Sequence, residues 1–503
     1  MFALMSFGPK GRSRTWAIRI VLVLLLAAVA AVAIRRWARH EERKHFVSMG
    51  ATGFELRGEP FFPLIMNYVV AKRLWGDSLW LGTCVDYQDT TCITLSPAKD
   101  HADLAAHLEL VREMGFNTVR LVGCSNVIER EGRPYMPFYR HNMRDSLFAL
   151  DSAGMGQRYL DALEDMMEVV HASGLKVILH VGIRPNQPST EEHFTHVADR
   201  LAADTTVMAY DLFNEPLYFD PVWREKTEVN AIGEHWRALM RVHAPRQLWT
   251  VGLANLRETL EWDPAIINAD FFSFHPYEHE PLQVLNETYW YAHHCPKPWI
   301  VGETSIPADN DSVPWSEQAD FARSTLRQVL SCGAWGYSWW QFKDVDWHRF
   351  HPNFMGAVDR LGETRTRSGR TVVGSVKPVG EVFRTFDPAA STGQCECPSN
   401  YYNWTPGSAY RLTGRLVGHD GQGLPDGVIL AWDPGWSHPV STVTRPDGTF
   451  QLITDTPLAH WTASAPYRTR LSGAVDALKP DTVHGGLTQD LGVLDLWFAP
   501  LGE

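Results

Sequence analysis

Short apolar runs alternate along most of this chain with stretches whose apolar positions recur at helical spacing. Phe61 to Tyr68 reads as a first strand and ends in Asn67 and Tyr68, before a loop rich in aromatic and polar residues that extends to about Lys99. Leu104, Leu108 and Val111 then mark a helix that stops near Gly115, and Thr118 to Val122 is the next strand. Leu160, Leu163, Met167 and Val170 form another helix, which Gly174 ends with a left-handed cap. Leu175 to Val181 is the third strand, and Ser189 with Glu192 fits a capping box for a helix running to about Ala203. Val207 to Phe213 follows as an apolar strand interrupted only by Asp211, and it stops at Asn214-Glu215-Pro216. A helix from about Trp223 to His243 leads to strands at Leu248–Leu253, Phe271–Tyr277 and Trp299–Gly302. A last helix, Ser316 to Cys332, precedes the strand Ala334–Trp340.

Eight strands, most of them joined by helices, predict an α/β fold: a (β/α)8 TIM barrel over residues 55–386. A doubly wound open sheet is the alternative, but no glycine-rich phosphate loop follows the first strand. From 387 to 409 the pattern lapses into Pro, Gly, Ser and Asn, which reads as a linker. Residues 410–503 return to short alternating segments, at Arg411–Val417, Gly427–Trp432 and Thr449–Ile453, broken by turns such as Pro446-Asp447-Gly448. They predict a small β-sandwich, expected to fold alone and to be dispensable for chemistry.

The N-terminus follows different rules. Residues 1–15 form a basic tail, and a 15-residue apolar run, Ile20 to Ile34, lies inside an expected transmembrane signal anchor at 16–36. Counting from Trp16, with Arg19 snorkelling, makes a span feasible. Ala31-Val32-Ala33 also offers a cleavage pattern, so the chain is expected to be membrane-anchored outside the cytoplasm, or secreted if the segment is cleaved. Residues 37–54 are read as a spacer.

A net charge of -12, with no basic stripe beyond the N-terminal segment, argues against nucleic acid as a partner. Seven cysteines are too few and odd in number for a disulfide scaffold. Cys84 and Cys92 are close enough in sequence to pair, while Cys395 and Cys397 are left open between pairing elsewhere and lying free. No Cys/His spacing reads as a metal site, and no cofactor is implied. Asn286, Asn310 and Asn403 begin glycosylation sequons. The 20 tryptophans suit either a large aromatic core or platforms on which sugar rings stack.

In a parallel barrel, chemistry sits where strands end. Glu215 ends the fourth strand and Glu303 the seventh, so the two face one another across the mouth. Two carboxylates flanking a bond are what glycoside cleavage needs, one protonated and one ionised. A metal-dependent barrel hydrolase is a poorer fit, because the first strand ends in Asn67-Tyr68 and not in a His-x-His.

Thr118-Val119-Arg120, Asn214-Glu215-Pro216, His275-Pro276-Tyr277, Gly302-Glu303 and Trp339-Trp340 together resemble the motifs of clan A glycoside hydrolases, most closely glycoside hydrolase family 5, the cellulase type. The resemblance covers the barrel. It implies a retaining glycosidase acting on a β-linked glycan of the β-glucan or β-mannan type, with an oligo- or polysaccharide substrate. By the same resemblance Glu215 is the general acid/base, Glu303 the nucleophile, and Asn214 the partner of the sugar's 2-hydroxyl. Arg120 and Tyr277 would bond to Glu303, His275 would line the same wall, and Trp340, chosen over Trp339, would be the stacking platform. One departure stands out. Family members commonly carry a histidine two residues beyond an acidic or polar residue at the end of strand three, whereas His180-Val181-Gly182 puts histidine at the earlier position and glycine at the later. The C-terminal module resembles the transthyretin-like, carboxypeptidase-regulatory-like sandwiches through Gly414, the run Gly423 to Gly427, and Asp447-Gly448. A membrane-anchored glycan-binding protein on an inactive barrel is the alternative function, and the oligomeric state stays open.

Overall fold

The computed structural model describes residues 45–83, 96–139, 145–151, 154–220, 222–345, 353–390, 393–435 and 439–499. The expected tail and anchor, the first part of the expected spacer, and the Cys84–Cys92 pairing lie outside these residues. Among the described residues no helix is long and apolar enough to cross a membrane.

Eight parallel strands close into a barrel, each paired with its neighbours in chain order. They are Leu64–Val69, Thr118–Val122, Lys176–His180, Val207–Asn214, Leu248–Leu253, Phe272–Phe274, Trp299–Val301 and Tyr337–Trp339. Leu64 pairs with Tyr337 and Ile65 with Thr118, which closes the ring between the last strand, the first and the second. Covered by helices outside and packed side chains within, the strands read as nearly unbroken apolar runs.

Alternation along each strand sorts the side chains. Leu64, Met66 and Tyr68, Val119 and Leu121, and Val177 and Leu179 point outward into the core beneath the helices. Ile65, Ile178, Phe271 and Ile300 point inward and form an apolar floor. Nearer the mouth the inward positions turn polar: Asn67, Arg120, Asp211, Ser273 and Ser338 are all buried there. The barrel is thus apolar at its floor and polar at the end where the strands finish.

The floor is completed by residues read as spacer. Val47–Met49, Phe54–Leu56 and Glu59–Phe61 form a three-stranded antiparallel sheet, and Val47 and Phe54 join the floor cluster. The Phe54 ring meets Phe271 and Trp335 edge-on at 5.1 and 5.3 Å. From residue 45 onward the chain is therefore part of the barrel unit, because its apolar side chains cover floor surface that water would otherwise reach.

The stretch after Tyr68 is also more than a loop. Ala71–Trp75 and Ser78–Gly82 form a hairpin. Ile128–Arg130, Arg133–Tyr139 and Asp145–Ala149, which follow the second strand, join it in one five-stranded sheet. This sheet rises from the ends of the first two strands and walls one side of the mouth. Asp100 pins it by accepting from the Trp80 indole and the Thr83 amide, both at 2.8 Å.

Gly174 has φ +70, as a left-handed helix stop requires. The capping box does not form: the helix Pro188–Leu201 starts with proline at its first turn, and Ser189 is buried inside it. Proline's fixed φ suits that first position and sets the start one residue earlier.

The C-terminal residues form two four-stranded sheets around their own apolar core. The segment 387–409 is not a free tether. Tyr401 and Trp404 are each 2% exposed and belong to the barrel's core cluster, and Cys395 is disulfide-bonded to Cys332 at the end of the helix Trp315–Ser331. Cys397 is free and exposed. Asn286 is fully buried and donates to Asn400 Oδ1 at 3.0 Å, so its sequon is closed to glycosylation in the folded chain. Asn310 and Asn403 are exposed. Sandwich and barrel also touch directly, through Trp290 Nε1 donating to Asp426 O (2.9 Å) and the Tyr467 amide donating to Asp263 Oδ2 (2.9 Å).

Candidate active site

The polar layer is organised around Arg120, which points from strand two into the lumen and is fully buried. Its Nε and Nη2 donate to Asp211 Oδ2 at 2.9 and 2.6 Å. Nη1 donates to Asn67 Oδ1 at 3.0 Å and also to Glu303 Oε1, while Nη2 donates to Asn214 Oδ1 at 2.5 Å. One guanidinium thereby ties together strands one, two, four and seven. A planar fork with five donors is suited to this, where a lysine would not be. Asn67 extends the net by donating to Ser338 Oγ (2.6 Å) and to Gly302 O (3.0 Å).

Glu303 receives a second donor, the Tyr277 hydroxyl, at 2.8 Å. Burial and the charge of Glu215 push its pKa up, and His275, Arg120 and the Tyr277 hydrogen bond pull it only part of the way back. Glu215 has far less to hold its charge. Burial raises its pKa to about 7, opposed only by the charge of Arg120. Although 17% of its side chain meets solvent, the cleft around it is deep enough for desolvation to dominate. The repulsion between the two carboxylates falls on Glu303, which the charge of Glu215 raises.

His275 Nδ1 lies 3.0 Å from Glu215 Oε1 and 3.6 Å from Glu303 Oε1. Burial lowers the histidine to about 4, so at neutral pH it is an uncharged imidazole. Ser273 Oγ lies 3.4 Å from Nε2 and can donate its proton there; in that tautomer Nδ1–H donates to Glu215. The ring lies against two glycines. A Cβ at Gly252 would come within 2.7 Å of it, and one at Gly302 would overlap Ser273.

Glu215 leaves the fourth strand with φ 45, a left-handed conformation uncommon outside glycine. Pro216 begins a four-residue helix immediately after it. Such conformations cost about 1–3 kcal/mol and persist where the surroundings enforce them. Here the Glu215 amide donates to Gly252 O at 2.9 Å, which fixes the turn.

Six of the seven residues singled out in the sequence, Arg120, Asn214, Glu215, His275, Tyr277 and Glu303, thus converge. The seventh, Trp340, is a half-buried residue whose amide donates to Thr304 O at 3.0 Å, which sets its backbone beside the residue after Glu303. Trp339 turns outward and packs fully buried on Phe383 and Phe321. Sequence reasoning did not assign Asn67, Asp211 or Ser273. Their signal was a polar residue inside an apolar strand, at inward parity.

An oxygen of Glu215, an oxygen of Glu303 and a nitrogen of His275 all lie within 4.8 Å of one another. By distance this trio could hold a cation. Its chemistry opposes one, since the Arg120 guanidinium already occupies Glu303 Oε1 and His275 Nδ1 carries a proton toward Glu215.

A model of the cellulase family, glycosyl hydrolase family 5, matches residues 88–343. No curated protein matches the chain. Among solved structures, GH5_18 from Streptomyces cattleya in complex with GlcNAc is 15% identical with a TM-score of 0.43, over 71% of this chain and 84% of that one. The endo-1,4-beta-mannanase from Rhizomucor miehei is 14% identical with a TM-score of 0.42, over 59% and 90%. A glycoside hydrolase family 5 mannosidase from the same organism is 12% identical with a TM-score of 0.42, over 69% and 98%.

Proposed function

The chain belongs to glycosyl hydrolase family 5 and is a glycosidase, and from that premise we propose that it cleaves a β-linked glycan of the β-glucan or β-mannan type by retaining double displacement. The observation that carries this reading is the close approach of Glu215 and Glu303, oxygen to oxygen within 4.8 Å. That is nearer the roughly 5–5.5 Å between carboxyl groups that lets one attack directly than the roughly 6.5–9.5 Å that admits a water.

The surroundings of each carboxylate support the division of labour. Glu303, with Arg120 and Tyr277 on its two oxygens, is the nucleophile. Glu215, raised to about 7, holds the proton that the leaving oxygen needs and later takes one from water. His275 orients Glu215 through Nδ1–H. Asn214 gives its Oδ1 to Arg120, which leaves its amide protons for the sugar's 2-hydroxyl. Trp340, half-buried, offers a stacking platform for the sugar. The basic and apolar N-terminal segment supports a barrel held outside the cytoplasm.

The test is product stereochemistry. Proton NMR of the first product formed from β-glucan, β-mannan or an aryl β-glycoside is expected to show the β-anomer. An initial α-anomer overturns the retaining mechanism. Tight binding of these glycans without turnover would favour a binding protein on an inactive barrel.

A further inference from the structure

Asp211 is fully buried in strand four, and its register neighbours are His180 on strand three and Thr250 on strand five. It meets Arg120 through one oxygen. Oδ2 accepts from Nε at 2.9 Å and from Nη2 at 2.6 Å, while Oδ1 has no hydrogen-bond partner among the described residues. An amide oxygen would accept both of those bonds. The same guanidinium is held by two amide oxygens elsewhere, Asn67 Oδ1 and Asn214 Oδ1. What a carboxylate adds at this position is therefore a negative charge, and a buried charge is costly to keep.

The groups around it show where that charge acts. Arg120 brings one positive charge, and Asp211 and Glu303 two negative ones, with little or no exposure to water. Burial opposes the charge on Arg120, but Asp211 and then Glu303 raise its pKa above the ordinary value, Asp211 being the stronger. His275 on strand six and His180 on strand three are both lowered by burial and neutral. Burial and the two glutamates keep the Tyr277 hydroxyl protonated. Glu215 carries its proton in the first step, and Lys72 and Arg184 act on the site from the side of His180. Arg120, Asp211 and Glu303 thus sum to one excess negative charge. A carboxylate beside an arginine ordinarily falls below its usual pKa, yet Glu303, under burial and the charge of Glu215, is raised.

We propose that Asp211 is a positioning residue that holds Arg120 and takes up its charge, so that Glu303 enters the reaction as an uncompensated anion. Paired with Arg120 alone, Glu303 would be neutralised and a weak nucleophile. With the guanidinium already matched, a Glu303 oxygen bonds to the anomeric carbon as the glycosidic bond breaks and its oxygen leaves with the proton of Glu215. The excess negative charge stabilises the positive charge that gathers on the sugar in the oxocarbenium-like transition state. The inference rests on the glycosidase reading above and deepens it.

The experiment compares the full-length wild type with Asp211→Asn, which keeps an acceptor oxygen and removes the charge. It follows kcat/KM against pH on the aryl β-glycoside that wild type hydrolyses fastest. Uncovering the charge of Arg120 lowers the pKa of Glu303 and of Glu215 together. Both limbs of the profile are expected to move to lower pH by about one unit, with about a 10-fold loss at the optimum. A merely structural role would loosen Arg120 and move the acid limb to higher pH, or lower the rate with both limbs in place. Either result, or an unchanged profile, overturns the inference. Calorimetry gives a readout that needs no turnover. Relative to its uncharged sugar counterpart, a protonated imino sugar is expected to bind Asp211→Asn about 10-fold more weakly than wild type; an equal change in the two ligands overturns the proposal. If Asp211→Asn does not fold, Asp211→Ser, smaller and with an acceptor hydroxyl, decides by the same comparisons. A wild type inert on aryl β-glycosides, glucans and mannans overturns the glycosidase reading and this inference with it; an active wild type whose folded variants keep its limbs overturns the inference alone.

Discussion

His275 and Glu215 meet at 3.0 Å as a neutral imidazole and a carboxyl group, not as an ion pair. The distinction matters for catalysis. A charged imidazolium would hold Glu215 ionised and strip it of the proton that the leaving oxygen requires. A neutral Nδ1–H aims one carboxyl oxygen while burial keeps the group's pKa near 7.

The pH profile follows from the same contact. Glu215 must carry a proton in the first step, and its raised pKa means that it does so up to about pH 7. Activity should fall as pH rises through about 7, with a one-proton limb in kcat/KM. The acid limb belongs to Glu303 and should lie above 4.5, because burial raises that group too. A profile flat to pH 9 would remove Glu215 as the acid.

Tyr277→Phe takes one hydrogen bond from Glu303 and nothing else from the net. That bond favours the ionised form, so its loss raises the pKa of Glu303 and moves the acid limb to higher pH. The expected drop in kcat/KM is about 10-fold, in the range of a hydrogen bond to a charged group. An acid limb that stays in place would show that the hydroxyl does not act on Glu303.

The two glutamates should fail differently. Glu303→Gln is expected to abolish turnover even of substrates with activated leaving groups. Glu215→Gln should still form the covalent intermediate from such substrates, and added azide should release it as a β-glycosyl azide. An α-configured azide product from Glu303→Gln, with Glu215→Gln inert, would reverse the roles.

Truncation near Thr392 is expected to cost the barrel its stability. The cut removes Cys395 from its bond to Cys332 and takes Tyr401 and Trp404 out of the barrel's core. Trp404→Ala alone should cost about 3–5 kcal/mol in urea unfolding. A soluble truncated chain with wild-type turnover would show that these contacts are dispensable.

Protein carrying residues 1–44 is expected in the membrane fraction, with its barrel removed by protease added to intact cells. Recovery in the soluble cytoplasmic fraction would count against the anchor.

Most of the barrel was legible because its two periodicities differ: continuous apolar runs for strands, helical spacing between them. The glutamates were legible because each follows such a run. Asp211, Asn67 and Ser273 were harder, since a polar residue within a buried strand gains meaning only once Arg120 is known to reach it. The floor sheet escaped because its three-residue strands are too short to show a period. The Cys332–Cys395 bond and the burial of Asn286 depend on contacts 63 and 114 residues apart in the chain, which no local pattern carries.

The sheet beneath the barrel also sets a direction. The chain enters the described fold at residue 45 on the face opposite the two glutamates. With 16–36 in a bilayer, the few residues between would reach at most roughly 30 Å. The floor would then lie within that distance of the membrane, while Glu215 and Glu303 open at the other end of the barrel.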